Sequence, residues 1–206
     1  MYSGITRGLF EVVHVDKHPG LIAYTVRLDA DLLKDLTVGA SVAIDGVCQT
    51  VVAITDHTVR FQAIQDTLDR TTLQDLYPGR QVSVERSLRY GDEIGGHEVA
   101  GHVIGRGKVV AVIPSDNNLC LMIQCPLPWM NYIFTKGFIA VDGSSLTVGE
   151  VDSKAGTFKL HLIPETLRLT NFGNKKVGDH VNIELDHTTQ TIVATVERIM
   201  AERLEP

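Results

Sequence analysis

Cysteine is scarce in this chain of 206 residues: Cys48, Cys120 and Cys125 make an odd number without tight spacing. That excludes a disulfide framework, leaves at least one thiol free and fits a reducing compartment. Long apolar runs are lacking too. Runs such as Val109 to Ile113 stay far short of the roughly 20 residues of a membrane helix, so no bilayer span is expected. Nor is there an excess of basic charge. The 19 Lys and Arg stand against 25 Asp and Glu, a net charge of -6 without a basic stripe, which repels polyphosphate and argues against nucleic-acid binding. Met1 to Thr6 holds no basic segment followed by an apolar one, so a cytosolic chain without a secretory signal is the expectation. What is present is ordinary globular material: 44% hydrophobic and 21% charged residues, proportions that build a core and exclude a disordered chain.

The sequence is written twice. Ile44-Asp-Gly-Val-Cys-Gln-Thr-Val51 resembles Val141-Asp-Gly-Ser-Ser-Leu-Thr-Val148 at a shift of 97. Ile64 to Thr71 resembles Ile163 to Thr170, and Gly79 to Glu85 resembles Gly178 to Glu184, both at a shift of 99. Gly4 and Gly8 fall on Gly101 and Gly105. A period this long indicates two whole domains rather than solenoid units, which run to about 20–50 residues. The turn-rich stretch Gly91 to Gly96 marks the join.

In the first half, apolar and polar residues alternate over Gly8–Val15, Ile22–Leu28, Ser41–Ile44, Gln49–Thr55, Val59–Ala63 and Gln81–Arg86, the period of antiparallel strands. Leu32–Leu36 and Thr67–Leu76 read as short helices. Six strands must protect their edges, so an all-β fold of two similar six-stranded Greek-key barrels is expected. Residues 1–97 form the first and 98–187 the second. In residues 188–206, Ile192, Val196, Ile199, Met200 and Leu204 recur every three or four positions, which predicts an amphipathic α-helix able to pack on its own barrels or on other copies.

Duplicated domains start chemically equal, so positions where they diverge are informative. Cys48 aligns with Ser145, Ser87 with Asp186 and Ile5 with His102. The second half thus collects a hydroxyl, a carboxylate and an imidazole. Each also has an ordinary structural reading: Cys48 as a small buried hydrophobe, Ser145 as a turn cap, Asp186 as the N-cap of the last helix. No metal is expected. His97 and His102 are five residues apart, on opposite faces of a strand or about 140° apart on a helix, and Cys120 and Cys125 lack a second pair. Gly95-Gly96 does not make a dinucleotide-binding fingerprint.

Six motifs in order carry a resemblance: Met1-Tyr-Ser-Gly-Ile5, Asp45-Gly-Val-Cys-Gln-Thr50, Ile94 to His102, Lys136 to Val148, His161-Leu-Ile-Pro-Glu-Thr-Leu167 and Val181 to Asp186. The chain resembles the riboflavin synthase family, trimeric enzymes of two lumazine-binding barrels, over nearly its whole length. The resemblance implies that two molecules of 6,7-dimethyl-8-ribityllumazine exchange a four-carbon unit without a cofactor. It implies a homotrimer joined through the tail helix, with each site between the first barrel of one subunit and the second of its neighbour. Association with lumazine synthase, which makes the substrate, is left open.

By the same resemblance, His102 or a nearby base assists proton transfer, Cys48 or Ser145 supplies or orients a nucleophile, and Asp186 holds Ser145 in position. Substrate contacts are expected from Gly4, Ile5, Thr6, Cys48, Gln49, Thr50, Gln62, Ala63, Ile64, Gln65, Asp66, Thr67, Gly101, His102 and Val103. The second-barrel set is Lys136, Ser145, Leu146, Thr147, His161, Leu162, Ile163, Pro164, Glu165 and Thr166. Tyr2 is expected to shield the rings. Departures from the family pattern are Tyr2 and Ser3 for Phe and Thr, Gln49 for a common leucine, Gln62 for an acidic residue and Ala100 for serine. Two rivals are weighed: a non-catalytic lumazine- or flavin-binding antenna, and a hydrolase triad of Ser145, His102 and Asp186, which lacks the nucleophile elbow.

Overall fold

The computed structural model describes residues 1–204 and, of Leu204, the backbone alone. The far end of the tail, Glu205 and Pro206, with the Leu204 side chain, lies outside the described residues.

Chain order in the first half is β1 (Gly8–His18), β2 (Leu21–Arg27), α1 (Ala30–Leu33), β3 (Ser41–Ile44), β4 (Val47–Thr50), β5 (Ala53–Thr55), β6 (Thr58–Ile64), α2 (Gln65–Arg70) and β7 (Gln81–Arg86). The second half has β8 (Gly105–Pro114), β9 (Leu119–Gln124), β10 (Phe138–Val141), β11 (Ser144–Asp152), β12 (Thr157–Leu162), α3 (Pro164–Leu169) and β13 (His180–Leu185), before α4 (His187–Leu204). In the second half the strands close into a barrel in the order β10-β11-β12-β9-β8-β13. The first half follows the same path as a seven-stranded sheet, β4-β3-β7-β1-β2-β6-β5, whose end strands β4 and β5 are successive in the chain but not paired to each other, where a closed barrel of six strands was expected. The segment read as a single strand, Gln49–Thr55, is two. At Val51 and Val52 the backbone changes partner, Val51 N–H donating to Ala40 and Val52 N–H to Arg60. In β11 the corresponding corner carries Gly149, which lies against the Lys159 carbonyl where a Cβ would not fit, and the strand passes through on a bulge.

Other departures are local. Helix α1 starts earlier than expected because Asp29 caps it, its carboxylate accepting the Leu32 N–H at 2.9 Å. The expected helix Thr67–Leu76 breaks at Thr71, where φ is -125° and the hydroxyl donates back to the Thr67 carbonyl. A 3-10 turn, Thr72–Asp75, follows. Thr170 ends α3 in the same way, bonding to Thr166, so one sequence block folds twice alike.

Each barrel holds its own core, one around Tyr24, Phe61 and Leu73, the other around Leu121, Phe158 and Phe172. Between them lies a pseudo-symmetric seam. The hairpin turns Asp45-Gly46 and Asp142-Gly143 have positive φ throughout, as tight two-residue hairpins require. They meet back to back: a Cβ on Gly46 would fall on the Gly143 nitrogen and 2.7 Å from its Cα. Beneath the turns, buried Asp45 and Asp142 each accept a backbone N–H, from Ser83 and Asn182, at 2.7 Å. Arg80 and Lys175 neutralise them at 2.8 Å each, the partnering that buried charges need. Asn182 crosses the seam, donating to the Asp45 carbonyl at 2.8 Å and accepting the Thr72 N–H at 2.8 Å. Its counterpart, Ser83, leaves its hydroxyl unpaired.

Helix α4 leans on the 3-10 turn Leu127–Tyr132 through a bond from Asn131 Nδ2 to Glu197 Oε1 of 3.0 Å. Its stripe of Ile192, Val196, Ile199 and Met200 is 41–58% exposed. No helix among the described residues is long and apolar enough to cross a membrane.

Candidate active site

The two segments that lead into the barrels exchange partners. Residues 1–7 precede β1 yet lie on the second barrel, where Ser145 N–H donates to the Gly4 carbonyl at 2.8 Å and the Thr6 and Ser144 hydroxyls are 2.9 Å apart. Residues 98–104 precede β8 yet reach the first barrel. There Cys48 N–H donates to the Gly101 carbonyl at 3.0 Å, and Val103 packs on the first core. The two leaders pair with each other through Tyr2 and Val99. Each is anchored by an acidic residue at the end of a strand. Glu85 accepts from Ser3 N, Ser3 Oγ and Gly4 N at 2.7–3.0 Å, and Glu184 accepts from Ala100 N and Gly101 N at 2.7 and 3.0 Å. Burial raises both carboxyls above the ordinary range, and the backbone N–H groups oppose it. These anchors were not among the expected site residues, although both close matched sequence blocks.

On the second barrel this exchange gathers many of the expected residues. Gly4, Ile5, Thr6, Ser145, Leu146, Glu165 and Thr166 line one cavity of about 160 Å³ with Ser144, Leu169 and Thr170. Thr147 continues β11 on the exposed side, and Lys136, Ile163 and Pro164 are exposed around it. His161 is taken up by Glu150 at 3.1 Å. Larger clefts of about 530 and 470 Å³ open at the seam turns and beside α1. Neither contains an expected site residue, so the small cavity, where motif residues converge, is the better candidate.

On the first barrel Cys48 is half-buried, Thr50, Gln62, Ile64, Gln65, Asp66 and His102 are exposed and Thr67 is half-buried. Gln65 bonds to Asp69 and Asp66 pairs with Arg70. Strand alternation sends three expected residues the other way. Gln49, Ala63 and Leu162 are at most 5% exposed and face the barrel interiors, so only their main chains can meet a ligand. Gln49 accepts the Tyr24 hydroxyl at 3.2 Å and donates to the Cys48 carbonyl.

Three side-chain roles need correction. Tyr2 is no shield: it is fully buried between the barrels, its hydroxyl 3.2 Å from Cys48 Sγ. Asp186 does not hold Ser145. Its carboxylate caps α4 on the Thr189 N–H and hydroxyl, as an acid at a helix start does. The group on Ser145 is His97, with Nδ1 2.6 Å from Oγ. His97 is 7% exposed, stacks on Phe138 at 5.1 Å and leaves Nε2 without a partner. Burial lowers its pKa, opposed by the charge of Asp186. The triad with His102 therefore fails on the choice of histidine. Nothing in the spacing separated His97 from His102, because the choice depends on how the linker folds over Ser145.

The lumazine-binding domain family matches residues 3–87 and again 100–186. The chain is 44% identical over 204 residues to the riboflavin synthase of Escherichia coli (strain K12), covering 98% of this chain and 95% of that one. It is 40% identical over 206 residues to the riboflavin synthase of Chlamydia muridarum, covering 99% of each. The crystal structure of LumP complexed with riboflavin superposes with a TM-score of 0.84 at 22% identity, over 91% of this chain and 100% of that chain, which speaks to the fold alone. The family match in both halves and the 40–44% identity over nearly the whole chain lead to one conclusion: the chain belongs to the lumazine-binding domain family and, within it, to the riboflavin synthases.

Proposed function

We propose that this chain converts two molecules of 6,7-dimethyl-8-ribityllumazine into riboflavin and 5-amino-6-ribitylamino-2,4-pyrimidinedione, at sites paired between neighbouring subunits of a cytosolic homotrimer. The observation that carries this reading is the size and composition of the second-barrel cavity. At about 160 Å³ it falls below the roughly 300 Å³ of a complete small-molecule pocket, yet it gathers the motif residues. A half-site completed by another barrel accounts for both facts. Two such half-sites suit a reaction between two identical substrates, since holding both in register supplies much of the rate. The uncovered stripe on α4 supports assembly through that helix.

In this reading residues 1–97 and 98–187 are the two lumazine-binding domains and 188–206 the assembly segment. His102 is exposed, with its side chain free to meet a ligand arriving from a neighbouring barrel. Cys48 and Ser145 stand at equivalent places in the two half-sites.

Incubating the purified protein with 6,7-dimethyl-8-ribityllumazine and following riboflavin absorbance tests the reaction. Turnover is expected, and expected to fall on dilution together with the trimer in sedimentation. Tight fluorescent binding without turnover would instead identify a non-converting binding protein. Turnover that survives as a monomer would overturn the intersubunit site. Co-sedimentation with lumazine synthase checks whether the supplier of the substrate associates with the trimer.

A further inference from the structure

The half-sites differ in what stands behind their equivalent nucleophilic atoms. At Cys48 the neighbour is the Tyr2 hydroxyl, 3.2 Å from Sγ. Burial first, then that contact, raise the pKa of this phenol above its ordinary range, so at neutral pH it donates a hydrogen bond and cannot take up a proton. At Ser145 the neighbour is an imidazole nitrogen at 2.6 Å. The imidazole is held rigidly: it is stacked on Phe138 with 19° between the planes, and its backbone runs through a linker that passes over Ser3 and Ser145 so closely that Gly96 has no room for a Cβ.

We infer that His97 is a positioning residue that accepts the Ser145 proton, a pairing built only into the second half-site, so that the duplicated barrels present one base-assisted hydroxyl and one unassisted thiol. This rests on reading Ser145 as part of the substrate half-site. In the step concerned the Ser145 O–H bond breaks and an N–H bond forms at Nδ1. The freed electron pair on oxygen becomes available to an electron-poor carbon of the bound heterocycle, while the ring gains one positive charge. Two features favour this. Burial keeps His97 neutral, and so able to accept, at neutral pH, while the nearby Asp186 charge favours the cation once formed. The remaining nitrogen, Nε2, is buried and bonds to nothing, which costs stability and is a feature expected where function competes with packing.

Two readouts test the inference. In His97→Gln, kcat should fall by about 100-fold with KM changed less than about threefold, the size expected for losing acid–base assistance. The wild-type acid limb of kcat/KM, placed below the ordinary histidine range, should vanish. Full turnover with an unchanged acid limb would overturn the pairing.

The second readout needs no turnover. Ser145→Cys puts at this position the residue that Cys48 already provides in the other barrel. The introduced thiol should be alkylated by iodoacetamide at pH 7 about tenfold faster than Cys48, because an adjacent imidazole favours the thiolate. Peptide mass spectrometry separates the two sites. Adding His97→Gln should remove the advantage, and equal rates with and without His97 would overturn the inference. If the alkylation advantage is present while the wild-type chain converts no lumazine, the pairing stands and the proposed reaction fails.

Discussion

The two barrels share a path and a core plan, and of three instructive differences between them two lie where the halves meet. Val52 interrupts the strand that Gly149 carries through. Asn182 reaches across the seam, whereas Ser83 does not. Ser145 faces an imidazole, whereas Cys48 faces a phenol. Interior strand positions kept their alternation in both copies because every inward side chain packs against the same surroundings. Divergence is cheap only where a residue meets its opposite number rather than its own barrel. In this chain two of the three differences lie along the seam between the halves, where Cys48 and Ser145 also stand.

The largest test of this comparison is at the axis itself. Gly46→Ala would put a methyl group into the Gly143 backbone in a left-handed turn. A loss above about 3 kcal/mol in urea unfolding is expected, from the backbone conformation and the clash together. A neutral result would mean that the barrels are not seated turn to turn.

Next come the leader anchors. Glu85 serves three donors and Glu184 two. Glu85→Gln should therefore destabilise more than Glu184→Gln, each within about 1.5–3 kcal/mol. The reverse order would show that the second leader, not the first, is the critical crossing.

A third test uses pH. Burial, then the charge of Asp142, raise the pKa of Asp45 from 3.8 to about 6. Between those values the folded chain keeps a proton that the unfolded chain has released, so stability should fall as pH rises from 3.8 to about 6 and level off above. Asp45→Asn should flatten that slope in denaturant titrations across the range. A slope unchanged by the substitution would remove Asp45 from the seam's titration.

The smallest effect is expected from Tyr2→Phe. It deletes one O–H and should cost less than about 1 kcal/mol, with Cys48 alkylated more slowly because its sulfur has lost a donor. An unchanged alkylation rate would make the phenol a packing group only.

Much of this could be read directly from the residues. The repeat at shifts of 97 and 99 announced two domains. Alternation located Ser41–Ile44 and Gln81–Arg86 to the residue, and the tail's period announced α4. The expected helix Thr67–Leu76 concealed a break at Thr71, whose hydroxyl turns back to the Thr67 carbonyl four residues away, a local side-chain bond that apolar periodicity does not register.

The site divides along the same line. Gly4, Ser145 and Thr166 were recognisable as motif residues, but that the first leader serves the second barrel is written nowhere in one dimension. Sequence periodicity settles what a strand or helix buries, because those contacts repeat every two or nearly four residues. Which of two histidines meets Ser145 was decided by a linker crossing between domains, whereas the Asp186 cap on α4 spans three residues and was already among the readings of the sequence. The histidine contact joins residues 48 apart in the chain with no period to announce it, and only packing brings them together.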